Sequence, residues 1–235
     1  MIEGYEKTLL GRPMTETEWL AAIDPMPMLK HLGDRTSNRK RRLFCHFCCQ
    51  MVRDYLDDRG RASLDIAGEY PDFPACRPQL EAALCIMENV IQDRIGTGNL
   101  SVIDAEIAVR NLCRPDEGTA CIGTAFLIAN TLSGINPCDP WDSVERCTSL
   151  RQTRAVRCIF GNPFRTAAID PSWLTSDVQT LATSIYQERV FDRIPILADA
   201  LQDAGCDHED ILNHCRQAGE HVRGCWVVDL ILGKS

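Results

Sequence analysis

The segment SNRKRRLFCHFCCQMVRDYLDDRG, residues 37–60, constrains the fold more than any other stretch of the chain. Phe44, Phe47, Cys48, Met51, Val52 and Tyr55 recur there at steps of three and four. At about 100° per residue these side chains form one apolar stripe on a helix. Ser37 or Asn38 supplies a cap and Gly60 a stop, and Arg41, Arg53, Asp54 and Asp57 occupy the opposite face. Strand-type alternation is almost absent elsewhere, so the pattern predicts an all-α chain.

The other segments repeat this grammar. T-E-T-E at 15–18 is a capping-box pattern, and the helix it opens must stop by Asp24, because Pro25 and Pro27 follow. Leu80, Leu84, Met87, Ile91 and Ile95 mark a second amphipathic helix closed by Gly96 and Gly98. A third runs from Ser101 to before Pro115. TACIGTAFLIANTLSG is apolar nearly all round, as a central helix would be. Asp139 and Pro140 then start a helix expected to reach about Cys158. Beyond the GNPFR turn, helices are expected around Val178–Tyr186, between Pro195 and Gly205, and over Glu209–Cys215. GCWVVDLILG reads equally as a buried strand or a helix. The sum is a compact bundle of roughly eight helices. A lead-in covers 1–14, an N-terminal helical region 15–160, and a C-terminal helical region 161–235 packs on the first.

Composition excludes several classes. With 45% hydrophobic and 25% charged residues the 235-residue chain has ordinary globular usage. A formal charge of -8 disfavours wholesale binding to nucleic acid, and 6% aromatic residues are too few for an extended stacking surface. The opening MIEGYEKTLLGRPM lacks the basic start and apolar stretch of a signal peptide, and no run approaches a membrane span. A cytoplasmic chain with reduced thiols is therefore expected. Its 13 cysteines then serve mainly as small buried hydrophobes.

One window could do chemistry. GCDHEDILNHCRQAGEHVRGCW carries three of the five histidines together with Cys206, Cys215 and Cys225. The subset Cys206, His214, His221 and Cys225 has the soft and borderline donors that zinc prefers, and His-x3-Cys is a common ligand pair. The competing reading makes Cys206 and Cys225 core residues, with His214 and His221 capping helices or binding carbonyls. CHFCC at 45–49 has knuckle-like Cys45-x2-Cys48 spacing, but the helical stripe runs straight through it. That favours packing through small thiols, with His46 pointing outward. Phosphate-binding glycine loops, nucleophile elbows and H-E-x-x-H are missing, which argues against an enzyme. The basic cluster Arg35, Arg39, Lys40, Arg41 and Arg42 opposes the macrodipole at a helix start, and Arg39, Arg41 and Arg42 are the candidate surface for a protein partner.

Two stretches also resemble a bacterial family found as many paralogues in planctomycetes. TETEWLAAIDPMPMLKHL with NRKRRLFCHFCCQ is similar to its start; IFGNPFR, DPSWLT, YQERVFDRIPILADALQDAGC and HVRGCWVVDLILGK are similar to its C-terminal part. The resemblance implies a soluble bacterial cytoplasmic protein, stand-alone or appended, and it carries over no catalytic residue or cofactor. The combined expectation is a non-catalytic helical module for protein–protein interaction or regulation. The alternative is a zinc-binding protein with a C-terminal Cys/His site.

Overall fold

The computed structural model describes residues 13–98, 100, 102–115, 120–135, 141–217 and 219–234. Among the described residues the chain forms α-helices joined by short loops and 3-10 turns, with no strand. The helices are α1 Glu16–Ala21, α2 Pro25–Leu32, α3 Asn38–Gln50, α4 Asp58–Glu69, α5 Arg77–Thr97 and α6 Ile103–Leu112. They continue with α7 Cys121–Ile135, α8 Trp141–Phe160, α9 Ser176–Glu188, α10 Ile194–Asp203, α11 Glu209–Arg216 and α12 Trp226–Leu232.

The described residues thus hold twelve helices where roughly eight were expected, and two local causes account for much of the difference. The prolines of DPMPM do end α1, but Pro25 occupies the first turn of the next helix, where its missing N–H costs nothing. Asp24 caps that helix by accepting the Met26 amide at 2.9 Å. The 37–60 stripe is also broken. Ser37 caps α3 as expected, but the helix ends at Gln50, and Asp57 accepts the Gly60 amide at 2.8 Å to start α4. Gly60 thus lies inside a helix instead of ending one. At Thr15 the capping box forms as read, with the Glu18 carboxylate accepting the Thr15 amide at 2.8 Å. The terminal segment settles as helix. The lead-in up to residue 12, Ser101, and the pair Asp139–Pro140 lie outside the described residues.

α3 is the central strut and touches α4, α6, α7 and α8. Its Leu43 is buried, and its Phe44, Cys45, Cys48 and Cys49 are buried in one core with Leu64, Met87, Leu112 and Ile159. α7 is less enclosed than its composition suggests: Ile122 and Phe126 are 45% and 56% exposed. α10 packs on α11, and α12 lies against α9, α11 and α8.

Several arginines tie these helices by satisfying carbonyls that helix ends leave open. Arg157 donates to the carbonyls of Trp19 at 2.7 Å, Leu20 at 3.0 Å and Ala22 at 2.7 Å, closing the end of α1. Arg42 does the same for α6, donating to the carbonyls of Leu112 at 2.9 Å, Pro115 at 3.2 Å and Arg114. A cation at a helix C-terminus is also favoured by the macrodipole.

Candidate metal centre

Three elements bring four donor side chains to one point. Cys158 sits near the C-terminal end of α8, and His214 stands in the last turn of α11. The connection from α11 to α12 carries His221 and ends at Cys225, the residue that precedes α12. Its last four residues form a turn in which the Cys225 amide donates to the Val222 carbonyl at 2.9 Å. Gly224 takes φ +89° there, and an added Cβ would lie 2.8 Å from Cδ1 of Leu43. Left-handed backbone and a close approach to α3 both demand glycine at this position.

One ligand atom from each of Cys158, His214, His221 and Cys225 lies within 4.8 Å of the others. Cys225 Sγ is 3.3 Å from His214 Nε2, and Cys158 Sγ is 3.7 Å from His221 Nδ1. A tetrahedral zinc with bonds of about 2.3 Å to sulfur and about 2.05 Å to nitrogen separates neighbouring S and N ligands by about 3.6 Å. The two measured edges bracket that value. All four residues are buried, the cysteines at 1% and 0% exposure and the histidines at 8% and 9%.

The surroundings orient these donors. The Val222 amide donates to Cys158 Sγ at 3.4 Å. His214 Nδ1 lies 3.0 Å from the Gln217 amide group, which leaves Nε2 for the centre, and Trp226 packs on the same imidazole with ring centroids 5.3 Å apart. The two imidazoles meet edge to face at 4.9 Å. Nε2 of His221 is buried without a protein partner. Burial opposes ionisation of both thiols, and at Cys158 it prevails, pushing the thiol up. At Cys225 the hydrogen bonds from Cys158, His214 and His221 outweigh burial and hold the thiol well below its usual range. One sulfur of the pair is thus prepared to be a thiolate, the form that binds metal.

Of the expected set Cys206, His214, His221 and Cys225, the structure brings the last three together and completes the quartet with Cys158. Cys206 follows the end of α10, is 4% exposed, and donates its amide to Leu201 at 2.9 Å. It lies near Cys215, outside the four-donor group. Nothing in local spacing marks Cys158, which stands 48 residues before Cys206 in the chain (206 − 158).

The other candidates serve the core. Cys45, Cys48 and Cys49 are fully buried, and burial pushes their thiols up. Cys45 and Cys121 face each other at 3.8 Å, joining α3 to α7. His46 does not point outward. It packs on Gly68, where an added Cβ would fall 2.4 Å from Nε2, and burial with nearby Arg223 and Arg189 lowers its pKa to about 4. The basic cluster also turns inward. Arg42 is 1% exposed, and Arg39 donates to Asp72 at 2.8 Å, to Asp229 at 2.7 and 3.1 Å, and to the Tyr186 hydroxyl at 2.7 Å. Arg41 is half-buried and has interactions of its own. Arg39 and Arg42 are therefore internal ties and present no open basic face.

Among the described residues no helix is long and apolar enough to cross a membrane. Comparison of the chain with models of protein families, with curated proteins and with solved structures finds no match.

Proposed function

We propose that Cys158, His214, His221 and Cys225 hold one zinc ion, and that the role of this metal is structural. The observation that carries this reading is the convergence of four soft and borderline donors, all buried, with their ligand atoms within 4.8 Å of one another. With every position filled by protein, no vertex is left for substrate, which favours a structural over a hydrolytic ion. The donors come from α8, α11 and the turn before α12. Such a metal would fasten the short C-terminal helices to the long helix that precedes them. α11 has only 8 residues and α12 only 7, lengths at which isolated helices are marginal. A metal that binds only the folded arrangement adds its binding free energy to folding. The protein is then a non-catalytic helical module of the interaction or regulatory class, held rigid at its C-terminal end.

The test is elemental analysis of protein purified under reducing conditions without a histidine tag. About one zinc per chain is expected in the wild type and in Cys206→Ser, and loss of it in Cys158→Ser. Metal-free wild-type protein, or loss of metal in Cys206→Ser with retention in Cys158→Ser, overturns the ligand set.

A further inference from the structure

A cavity of about 360 Å³ opens beside this centre, between the start of α3, the 160–167 loop and α12. Lys40, from the first turn of α3, is one of its walls. A cation at that position opposes the helix dipole, so it needs a partner that repays the cost. Its neighbours have theirs: Arg39 holds Asp72 and Asp229, and Arg42 caps α6. The Lys40 ammonium makes no hydrogen bond or ion pair among the described residues. It is half-buried, and burial lowers its pKa, with Arg39 adding to the effect and Asp229, Cys225 and Cys158 offsetting it only in part.

The remaining charges on the wall are already engaged. Arg165 binds Glu16 at 2.5 Å and Asp210 at 3.1 Å, while Lys234 reaches Asp72 at 3.5 Å. Asp229 accepts from Arg39. Among the described residues Lys40 is therefore the one cation of this cavity without a carboxylate in contact. Phe160, Pro163 and Trp226 supply apolar wall beside it. The loop is set in advance: Asn162 and Arg165 both bind Glu16, the former at 2.7 Å, and Gly161 lies close against the Trp226 ring.

We infer that this cavity binds a small organic monocarboxylate, with its anionic group at Lys40 and a flat apolar body against Trp226 and Pro163. One free cation balances one negative charge. A phosphate dianion would meet Lys40 as the one wall cation not already held by a carboxylate among the described residues and, on the same wall, the carboxylates of Asp210 and Asp229. A neutral ligand would leave the lysine unpaired.

Calorimetric titration at low salt with benzoate, benzamide and inorganic phosphate tests it on the full chain. Benzoate should bind with a Kd on the order of 1 mM, and benzamide and phosphate roughly tenfold or more weakly. Lys40→Gln should lose about tenfold in benzoate affinity, the equivalent of one ion pair, and Lys40→Arg should keep most of it. Benzamide binding as well as benzoate, unaltered binding in Lys40→Gln, or no benzoate binding to the wild type overturns the proposal. Lysine-dependent phosphate binding tighter than that of benzoate overturns the carboxylate class. If Lys40→Gln fails to fold, the benzoate–benzamide contrast and the Lys40→Arg variant decide.

Discussion

Removal of the Arg39 guanidinium, as in Arg39→Leu, should destabilise the protein severely. Asp229 and Asp72 have side-chain exposures of 1% and 3%, and Arg39 itself only 13%. The two carboxylates are not equally dependent on it. Asp72 keeps Arg223 at 2.7 Å, the Tyr186 hydroxyl and Lys234, whereas among the described residues the only charged group bonded to Asp229 is Arg39. The cost therefore falls on Asp229, left at the start of α12 with only the more distant Lys40 to offset its charge. Breaking a buried pair from one side costs about 3–5 kcal/mol. For a chain of this size each kcal/mol moves Tm by about 2–4 °C, so a drop of about 6–20 °C is expected. Burial already raises the pKa of Asp229 above its ordinary value despite Arg39. A carboxyl with a raised folded-state pKa stabilises the fold when protonated and loses that contribution as pH rises through its folded pKa. The deficit of Arg39→Leu should accordingly be largest near neutral pH and shrink on acidification. Adding Asp229→Leu should restore much of the loss, since apolar replacements of both partners of a buried pair are often tolerated. Thermal unfolding followed by circular dichroism measures all three variants, with Arg151→Leu, which breaks an ion pair exposed at 42% and 50%, as the control. If Arg39→Leu melts no lower than Arg151→Leu, Arg39 is a surface charge and the reasoning is wrong.

Gly224→Ala should combine strain at φ +89° with a clash at Leu43, costing about 1–3 kcal/mol and weakening metal retention, as denaturant titration and elemental analysis will report. A Gly224→Ala protein as stable as the wild type would mean the turn lies elsewhere. His46, with a folded pKa near 4 against an ordinary 6.5, favours the fold when neutral. Its contribution is present above pH 6.5 and lost as pH falls towards 4, so His46→Gln should flatten the acid slope of stability in that window. An unchanged slope would place the histidine in water.

The sequence by itself determined the class of fold and many of its ends. The Thr15 capping box and the Ser37 cap are local physics, and each appears where the residues place it, whereas the apolar stripe over 37–60 breaks after Gln50. The Asp24–Pro25 start obeys the same rules, but a proline after a helix reads first as a stop, and Asp57 was read as face when it is cap. Tertiary structure decided what pairs with what. Arg39, Arg41 and Arg42 read as a basic patch because sequence shows charge without showing Asp72, Asp229 or the open carbonyls of α6. His214, His221 and Cys225 were legible as donors within a window of 12 residues (225 − 214 + 1). Cys158 was not, because a metal site samples space around a point, and the end of a distant helix can be nearer to that point than a cysteine in the same window. The cavity at Lys40 is likewise a product of packing: only the fold shows which of four consecutive basic residues makes no hydrogen bond or ion pair with its side chain among the described residues.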